Sequence, residues 1–389
     1  MTTRTVNLGS IAKITSGGTP DRENLAYWGG TVPWVKTTLV QNCEIGPEDI
    51  DEQITEAGLK SSSAKLIPAG SILMAMVGQG KTRGQVAILT TDAAINQNCA
   101  AIILNGEAHN RYVYQQLLFR YEEIRNASNS SGQQNLNAGL IRELRMPLPR
   151  LPEQERIAEI LVAWDTAIQK TEQLIATKER HYSHELSRLI SRGHHPHAHV
   201  GTFAEEVSAR NRGGNEARVL SVTNSRGFVL PEDQFERRVA SADLSNYKVV
   251  HRGQYAYNPS RINVGSIARL DGWDDGVLSP MYVVFRLNED KANSDYFLHW
   301  LNSHEARQRI KNSAQGSVRE TVSFSEFAAI TIPLPDSNTQ TAIARYLNAL
   351  REEIDLLGRS VSALKTQKRG LMQKLLTGQW RLPVQEEAN

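Results

Sequence analysis

A chain that is written twice can fold into only a small set of shapes, and this one repeats itself along its whole length. Shifted by 186 residues, 146–168 lies over 332–354 with nine of 23 positions identical: Pro147/Pro333, Leu148/Leu334, Pro149/Pro335, Gln154/Gln340, Ile157/Ile343, Ala158/Ala344, Leu161/Leu347, Ala163/Ala349 and Ile168/Ile354. The same shift pairs Leu186 with Met372, Leu189 with Leu375 and Ile190 with Leu376. Upstream it pairs Asn137 with Ser323, Ile141 with Phe327 and Leu144 with Ile330. A slightly larger shift lays Leu8-Gly9-Ser10-Ile11-Ala12 over Val200-Gly201-Thr202-Phe203-Ala204. Two arms of about 190 residues fill the 389, which means two similar domains rather than one large one.

Each arm reads as a β-rich part followed by a long helix. In the first arm, Val32–Val35, Ser71–Val77, Gln85–Leu89 and Cys99–Leu104 are short apolar or β-branched runs between Gly and Pro, the pattern of strands. Tyr112–Ile124 has helical periodicity. The second arm gives strands near Arg218–Val222, Gln254–Asn258, Ser266–Leu270 and Tyr282–Leu287, then a helix at Asp295–Lys311. Both arms continue with a small polar loop, Asn129–Asn135 and Asn312–Glu320, and a stretch ending in Pro-Leu-Pro. The last helix carries Ile343, Leu347, Leu350, Ile354, Leu357, Val361, Leu364 and Leu371, with Lys368 interrupting, in steps of four and three. That is the 3.5-residue period of a coiled-coil seam. The first helix is looser: Ile157, Leu161, Trp164, Ile168, Ile175, Tyr182, Leu186 and Leu189, with Thr171 and Lys178 in the seam. About 37 helical residues make a rod of roughly 55 Å. Two such stripes in one chain are expected to pack on each other, and connectivity then makes them antiparallel. The expected fold is α+β: two similar β-rich domains separated by two long antiparallel helices, with a pseudo-twofold internal repeat. Its divisions are 1–150, 151–192 (first long helix), 193–337, and 338–389 (second long helix and basic tail).

Composition narrows the function classes. No apolar run approaches the ~18 residues of a membrane span, and Met1–Lys13 lacks a secretory apolar core. Two cysteines, Cys43 and Cys99, cannot build a disulfide framework or a four-cysteine zinc site. A soluble protein of a reducing, cytoplasmic compartment is expected. A net charge of +2 is too small to name a partner by itself.

Several motifs suggest chemistry and then fail on context. Ala75-Met76-Val77-Gly78-Gln79-Gly80-Lys81-Thr82 fits a relaxed phosphate loop, in which a helix must start at the Lys. Here Arg83-Gly84 and the strand-like Gln85-Val86-Ala87-Ile88-Leu89 follow instead, so a Gly-rich hairpin presenting Lys81 and Arg83 is the better reading. His194, His195, His197 and His199 have metal-like density but sit among Gly193, Pro196 and Gly201, as in a solvated linker. Tyr257-Asn258-Pro259-Ser260 lacks the second Pro and the aromatic of an amino-methyltransferase motif. Pro20-Asp21 could open a nuclease motif, but the acid and Lys that should follow are not suitably placed. No nucleophile, base and anion hole assemble. No catalytic residue, metal site or cofactor of its own is expected for this chain.

What remains suits the reading of double-stranded DNA, whose major groove is read by Arg, Lys, Asn and Gln through paired hydrogen bonds to base edges. The loops supply Lys36, Thr37 and Thr38; Lys81 and Arg83; and Gln133, Gln134 and Asn135. The second arm supplies Asn224 and Arg226; Asn258, Ser260, Arg261 and Asn263; and Gln315, Ser317 and Arg319. A plain solvated loop residue is the competing reading for each. Gly358–Arg381 has six basic residues and no acidic one, which suits phosphates or an acidic groove on a partner.

At this point the residues carry a resemblance. Gly18-Thr19-Pro20, Tyr27-Trp28-Gly29, Pro33-Trp34, Gly70-Ser71-Ile72-Leu73 and Asn96-Gln97 resemble a target-recognition domain of type I restriction–modification specificity subunits. Gln134-Asn135-Leu136, then Pro147-Leu148-Pro149, Leu151-Pro152-Glu153-Gln154-Glu155 and Ile157-Ala158, are similar to its junction with the first conserved helix. Leu371-Met372, Leu375-Leu376-Thr377-Gly378 and Arg381 resemble the close of the second. The second arm departs from the pattern: it lacks the Gly-Thr-Pro and Tyr-Trp-Gly opening, and Pro335-Asp336-Ser337-Asn338 replaces a Pro-rich junction. The resemblance implies a non-catalytic DNA-binding subunit of a host-defence complex, each domain reading one half of a split target. It further implies two modification subunits, which hold S-adenosylmethionine and methylate adenine, docked on the helices, and restriction subunits with helicase and nuclease activity. The alternatives are a phosphate-loop NTPase, which would bind ATP, and a coiled-coil adaptor, which would bind protein but no DNA.

Overall fold

In the computed structural model, which describes residues 4–78, 80–130, 135–214, 216, 218–233, 243–314 and 321–383, the apolar runs of the first arm are strands buried on both faces. Side chains alternate across a strand, and here they part into two cores. Ile72, Met74, Val86, Ile88, Ala100 and Ile102 join one cluster; Leu73, Ala75, Ala87, Leu89, Cys99 and Ala101 join another. That is why these runs are continuously apolar and not alternating. The sheet order is Ala12–Ser16, Cys99–Leu104, Ile72–Ala75, Val86–Leu89, Cys43–Ile45, antiparallel except for the last, parallel pair. A smaller sheet of Gln53–Ile54, Trp28–Val35, Ala93–Ile95 and Leu66–Ile67 covers one side.

The chain divides into two compact units, Met1–Thr171 with Ser360–Asn389, and Glu172–Arg359. Each unit therefore takes part of both long helices, Leu151–Leu186 and Ser337–Leu376. The second unit repeats the sheet of the first: Ala204–Val207, Val283–Leu287, Tyr255–Tyr257 and Ile267–Arg269, in that order and all antiparallel. Among its described residues there is no counterpart of the small mixed sheet; two-stranded ribbons are found instead, Ser221–Thr223 with Gly227–Val229 and Lys248–His251 with Asp275–Leu278. In the first unit Trp28-Gly29 of the Tyr-Trp-Gly signature opens a strand of that small sheet, and Gly18 of the Gly-Thr-Pro signature bonds to it at the Ile95 carbonyl; the second arm has neither signature.

Positions that coincide under the internal repeat do the same work in both units. Gln154 is buried, donates to the Pro149 carbonyl at 2.9 Å and accepts from the His109 N–H at 2.9 Å. Gln340 donates to the Pro335 carbonyl and accepts from the Asn293 N–H, both at 2.7 Å. Asn137 and Ser323 each cap a short helix, accepting from the N–H of Leu140 and of Glu326. The Leu8 N–H reaches the Leu144 carbonyl at 2.8 Å, and the Val200 N–H reaches that of Ile330 at 2.9 Å.

The helical seam follows its period. Ile343, Leu347, Ile354 and Val361 are buried, and Leu350, Leu357, Leu364 and Leu371 are half-buried. Partners run antiparallel within each unit: Lys178 to Glu353 and Tyr182 to Arg351 in the second, Glu153 to Arg381 and Asp165 to Lys368 in the first. Gly378 (φ +74°) ends the second helix, its N–H on the Leu375 carbonyl. Three expectations need correction. Tyr112–Ile124 is not one helix but belongs to two, Asn110–Phe119 and Tyr121–Ser130. Asp295–Lys311 likewise falls in Ser294–Leu301 and His304–Ala314, because the Ser303 hydroxyl caps a new start by accepting from the Ala306 N–H at 3.0 Å. The histidine stretch is only partly a linker: His197–His199 is a strand on Thr331–Pro333, and His195 donates to the Leu189 carbonyl at 2.8 Å.

Candidate nucleic-acid interface

The hairpin between two neighbouring antiparallel strands of each sheet carries the clearest candidate surface. In the first unit it is the 76–85 loop, joining Ile72–Ala75 to the antiparallel Val86–Leu89. No helix begins at Lys81; the chain turns at Gly84 (φ +86°), whose N–H returns to the Ala75 carbonyl at 2.9 Å, and enters the strand. A phosphate loop needs a helix N-terminus there, so the NTPase alternative falls. Lys81 is exposed and Arg83 half-buried. The loop is braced by the Tyr121 hydroxyl, which donates to the Lys81 carbonyl at 2.6 Å. The Leu136 N–H donates to the Met76 carbonyl at 2.9 Å, which sets the exposed Asn135 near the loop's start.

The second unit builds the same feature from different residues. Its 258–266 loop joins the equivalent strands, and the Val322 N–H donates to the Pro259 carbonyl at 3.1 Å, the counterpart of the Leu136 bond under the repeat. Asn258 folds the loop onto itself by accepting from the Ser260 N–H at 3.0 Å. Gly265 holds φ +93°, a conformation that disfavours other residues. Ser260 and Arg261 are left exposed, and Asn258 and Asn263 half-buried. A second turn, 223–227, lies against it. Thr223 accepts from the Arg226 N–H at 3.0 Å and donates to the Gly227 carbonyl at 3.1 Å, which lifts Asn224 and Arg226 into solvent. The two loops and helix His304–Ala314 border a cleft of about 510 Å³ that Asn224, Asn263, Val264, Asn302 and Arg307 help to line. Among the described residues no carboxylate lines it.

The other sequence candidates are placed differently. Lys36 is held by Asp51 at 2.9 Å and Glu52 at 3.0 Å, and these partners keep its ammonium charged above the ordinary lysine range. Thr37 is buried, donating to the Asn96 side-chain oxygen at 2.8 Å, so its hydroxyl braces the fold. Thr38 is exposed. Gln133, Gln134, Gln315, Ser317 and Arg319 lie outside the described residues. Asn302 and Arg307 are not among the sequence candidates, because a single helix read over Asp295–Lys311 hides the break at Asn302 and Ser303.

The signature residues of the first unit act as stitching. The Gly18 N–H donates to the Ile95 carbonyl at 2.9 Å, and a Cβ on Gly17 would stand 1.8 Å from that oxygen. Trp34 donates to the Gly18 carbonyl and Trp28 to that of Asp21, both at 3.0 Å. Thr19 bonds to Gln97. Arg22 stacks on Trp28, 3.8 Å from the ring centre. Among the described residues no group of three or more His, Cys, Asp or Glu side chains is placed to hold a metal ion, and no helix is long and apolar enough to cross a membrane.

This fold and these paired loops can be set beside known proteins. The family described as type I restriction modification DNA specificity domain matches residues 2–179 and 259–366. The chain belongs to that family. The specificity subunit of the Escherichia coli type I restriction enzyme EcoR124I/EcoR124II is 32% identical over 170 residues, 41% of this chain and 40% of that one. That of the Methanocaldococcus jannaschii enzyme MjaIX is 29% identical over 164 residues, 41% of this chain and 37% of that one. The matches thus span about two fifths of these relatives. In structure, the S subunit of a type I restriction-modification system from M. genitalium superposes with TM-score 0.60 at 15% identity, over 97% of this chain and 96% of the other. A chain from a structure of a type I R-M system gives TM-score 0.56 at 14% identity, covering 97% and 98%. The two-unit fold joined by long helices is that of these proteins.

Proposed function

We propose that this chain is the DNA-specificity subunit of a type I restriction–modification complex. Each unit reads one half of a split double-stranded target, with residues 1–150 and 193–337 as the two recognition domains. Adenine methylation and restriction are carried out by partners: two modification subunits, which supply S-adenosylmethionine chemistry and dock on the long helices, and restriction subunits. The chain itself is non-catalytic and works in the cytoplasm, where the chromosome is. One observation carries the reading. Both units present the same hairpin, stitched by the equivalent bonds to Met76 and Pro259, but fill it with different side chains. Equal scaffolds with unequal loops suit two readers of unequal half-sites, because base-edge contacts specify while the scaffold positions. A coiled-coil adaptor would leave the paired sheets without a role.

Methylome sequencing tests this. Exchanging residues 1–150 for those of a relative should change one half of the methylated motif and leave the other. A change in both halves, or none, overturns the assignment. Methyl transfer by the purified chain alone would overturn its non-catalytic role.

A further inference from the structure

The cleft of the second unit has a chemical character more specific than a general affinity for DNA. Asn224 and Asn263 line it from two separate turns that touch: a Cβ on Gly265 would lie 3.7 Å from that of Asn224. Among the described residues neither side-chain amide has a hydrogen-bond partner. Beside Asn263 stands Val264, 57% exposed although apolar. Arg307 is exposed at the same cleft, and among the described residues no carboxylate lines it to accept from cytosine or to repel phosphate. An Asn amide pairs with the N6 and N7 atoms of adenine, and an exposed apolar side chain matches the methyl group of thymine. Both groups of an A·T pair face the same groove, so adjacent amide and apolar side chains fit it together.

We propose that this cleft reads A·T pairs in the second half-site, Asn224 and Asn263 contacting adenine edges and Val264 a thymine methyl group, with Arg307 on a neighbouring phosphate. The inference rests on the DNA-reading function proposed above. Val264 is then a specificity-determining residue, and its exposure has a purpose.

The experiment uses the full chain co-purified with its modification subunits and duplexes carrying the motif found by methylome sequencing. Each thymine of the second half-site is replaced by uracil, which removes only the methyl group, and each adenine by 7-deazaadenine, which removes only N7. Wild-type complex should lose about threefold to tenfold in affinity at one or more uracil positions, the worth of a buried methyl group. A similar loss is expected at a 7-deazaadenine position. Val264→Ala should bind thymine and uracil duplexes alike while keeping its sensitivity to changes in the first half-site, which shows that it is folded. Val264→Ile should retain the thymine preference. Asn263→Ala should lose the 7-deazaadenine effect. The proposal is overturned if no uracil position matters to the wild type, or if Val264→Ala discriminates as strongly as wild type. Should the wild-type complex fail to prefer its motif over a scrambled duplex, the DNA-reading function itself falls, a result distinct from the loss of one contact.

Discussion

Gln340 is 2% exposed and holds three backbone groups, the Asn293 N–H and the Pro335 and Lys291 carbonyls, at the start of the second long helix. Truncation leaves a buried donor and acceptors unpaired, so Gln340→Ala should lower stability by about 1–3 kcal/mol, and Gln154→Ala should do the same in the first unit. Chemical denaturation checks both; no change in midpoint would show the glutamines to be incidental. His299 gives a pH prediction. Burial pushes its pKa down, and Arg269 and Arg351 act the same way against Asn348 and Asp295. Its neutral ring accepts from the Tyr182 hydroxyl at 2.9 Å and donates to Asn348 at 2.8 Å. A histidine depressed in the folded state binds more protons unfolded. Its contribution is complete above the unfolded value near 6.5 and is lost as pH falls through that value towards the folded one. Melting at pH 7.5, 6.5 and 5.5 should therefore show wild type losing more stability on acidification than His299→Gln; equal slopes would dismiss the role. At this scale the sequence was only partly legible. The identity of Gln154 and Gln340 stood out under the repeat, but their carbonyl partners did not. Thr37 looked like a polar loop residue because its burial depends on Asn96, far along the chain.

At the scale of elements, the polar breaks in the apolar stripes have partners. Lys368, its side chain 12% exposed, meets Asp165 at 2.5 Å, and Asp165 also accepts from Gln115 at 2.7 Å. The second unit holds Arg351 over Tyr182 at the equivalent places, 5.5 Å from the ring centre. Polar residues in a seam fix register at some expense in stability, and a pair broken on one side leaves the other charge poorly solvated. Asp165→Ala should cost about 1–2 kcal/mol, below the figure for a fully buried pair because Asp165 is 45% exposed. Adding Lys368→Met should recover most of it, and a double-mutant cycle gives the coupling. Additive losses would mean that the pair contributes nothing as a pair. Element existence was legible wherever the period was strong, in the two long helices and the fully buried strands. It failed where a single cap intervened, as at Ser303, and where strands were two or three residues long, as at Gln53–Ile54 and Leu66–Ile67.

For the whole molecule the repeat was the informative feature, since it named two units before any element was assigned. It could not show that each unit takes part of both helices, because a seam has the same period on either side of the division. The chain passes between units twice, at Thr171/Glu172 and at Arg359/Ser360, each time inside a long helix. If each unit reads one half-site, these helices set the number of unread base pairs between them. Four residues added to each helix at those two points lengthen each by about 6 Å, nearly two base-pair steps at ~3.4 Å. The insertion approximates one turn, so the seam keeps its face, and neither recognition loop is touched. Methylome sequencing of a host carrying the variant should return both original half-sites with the gap lengthened by one or two base pairs. Loss of methylation alone has a second cause, since the modification subunits are proposed to dock on the same helices, so co-purification of those subunits must accompany the measurement. An assembled, active variant that still methylates the original spacing would show that the helices are not the ruler.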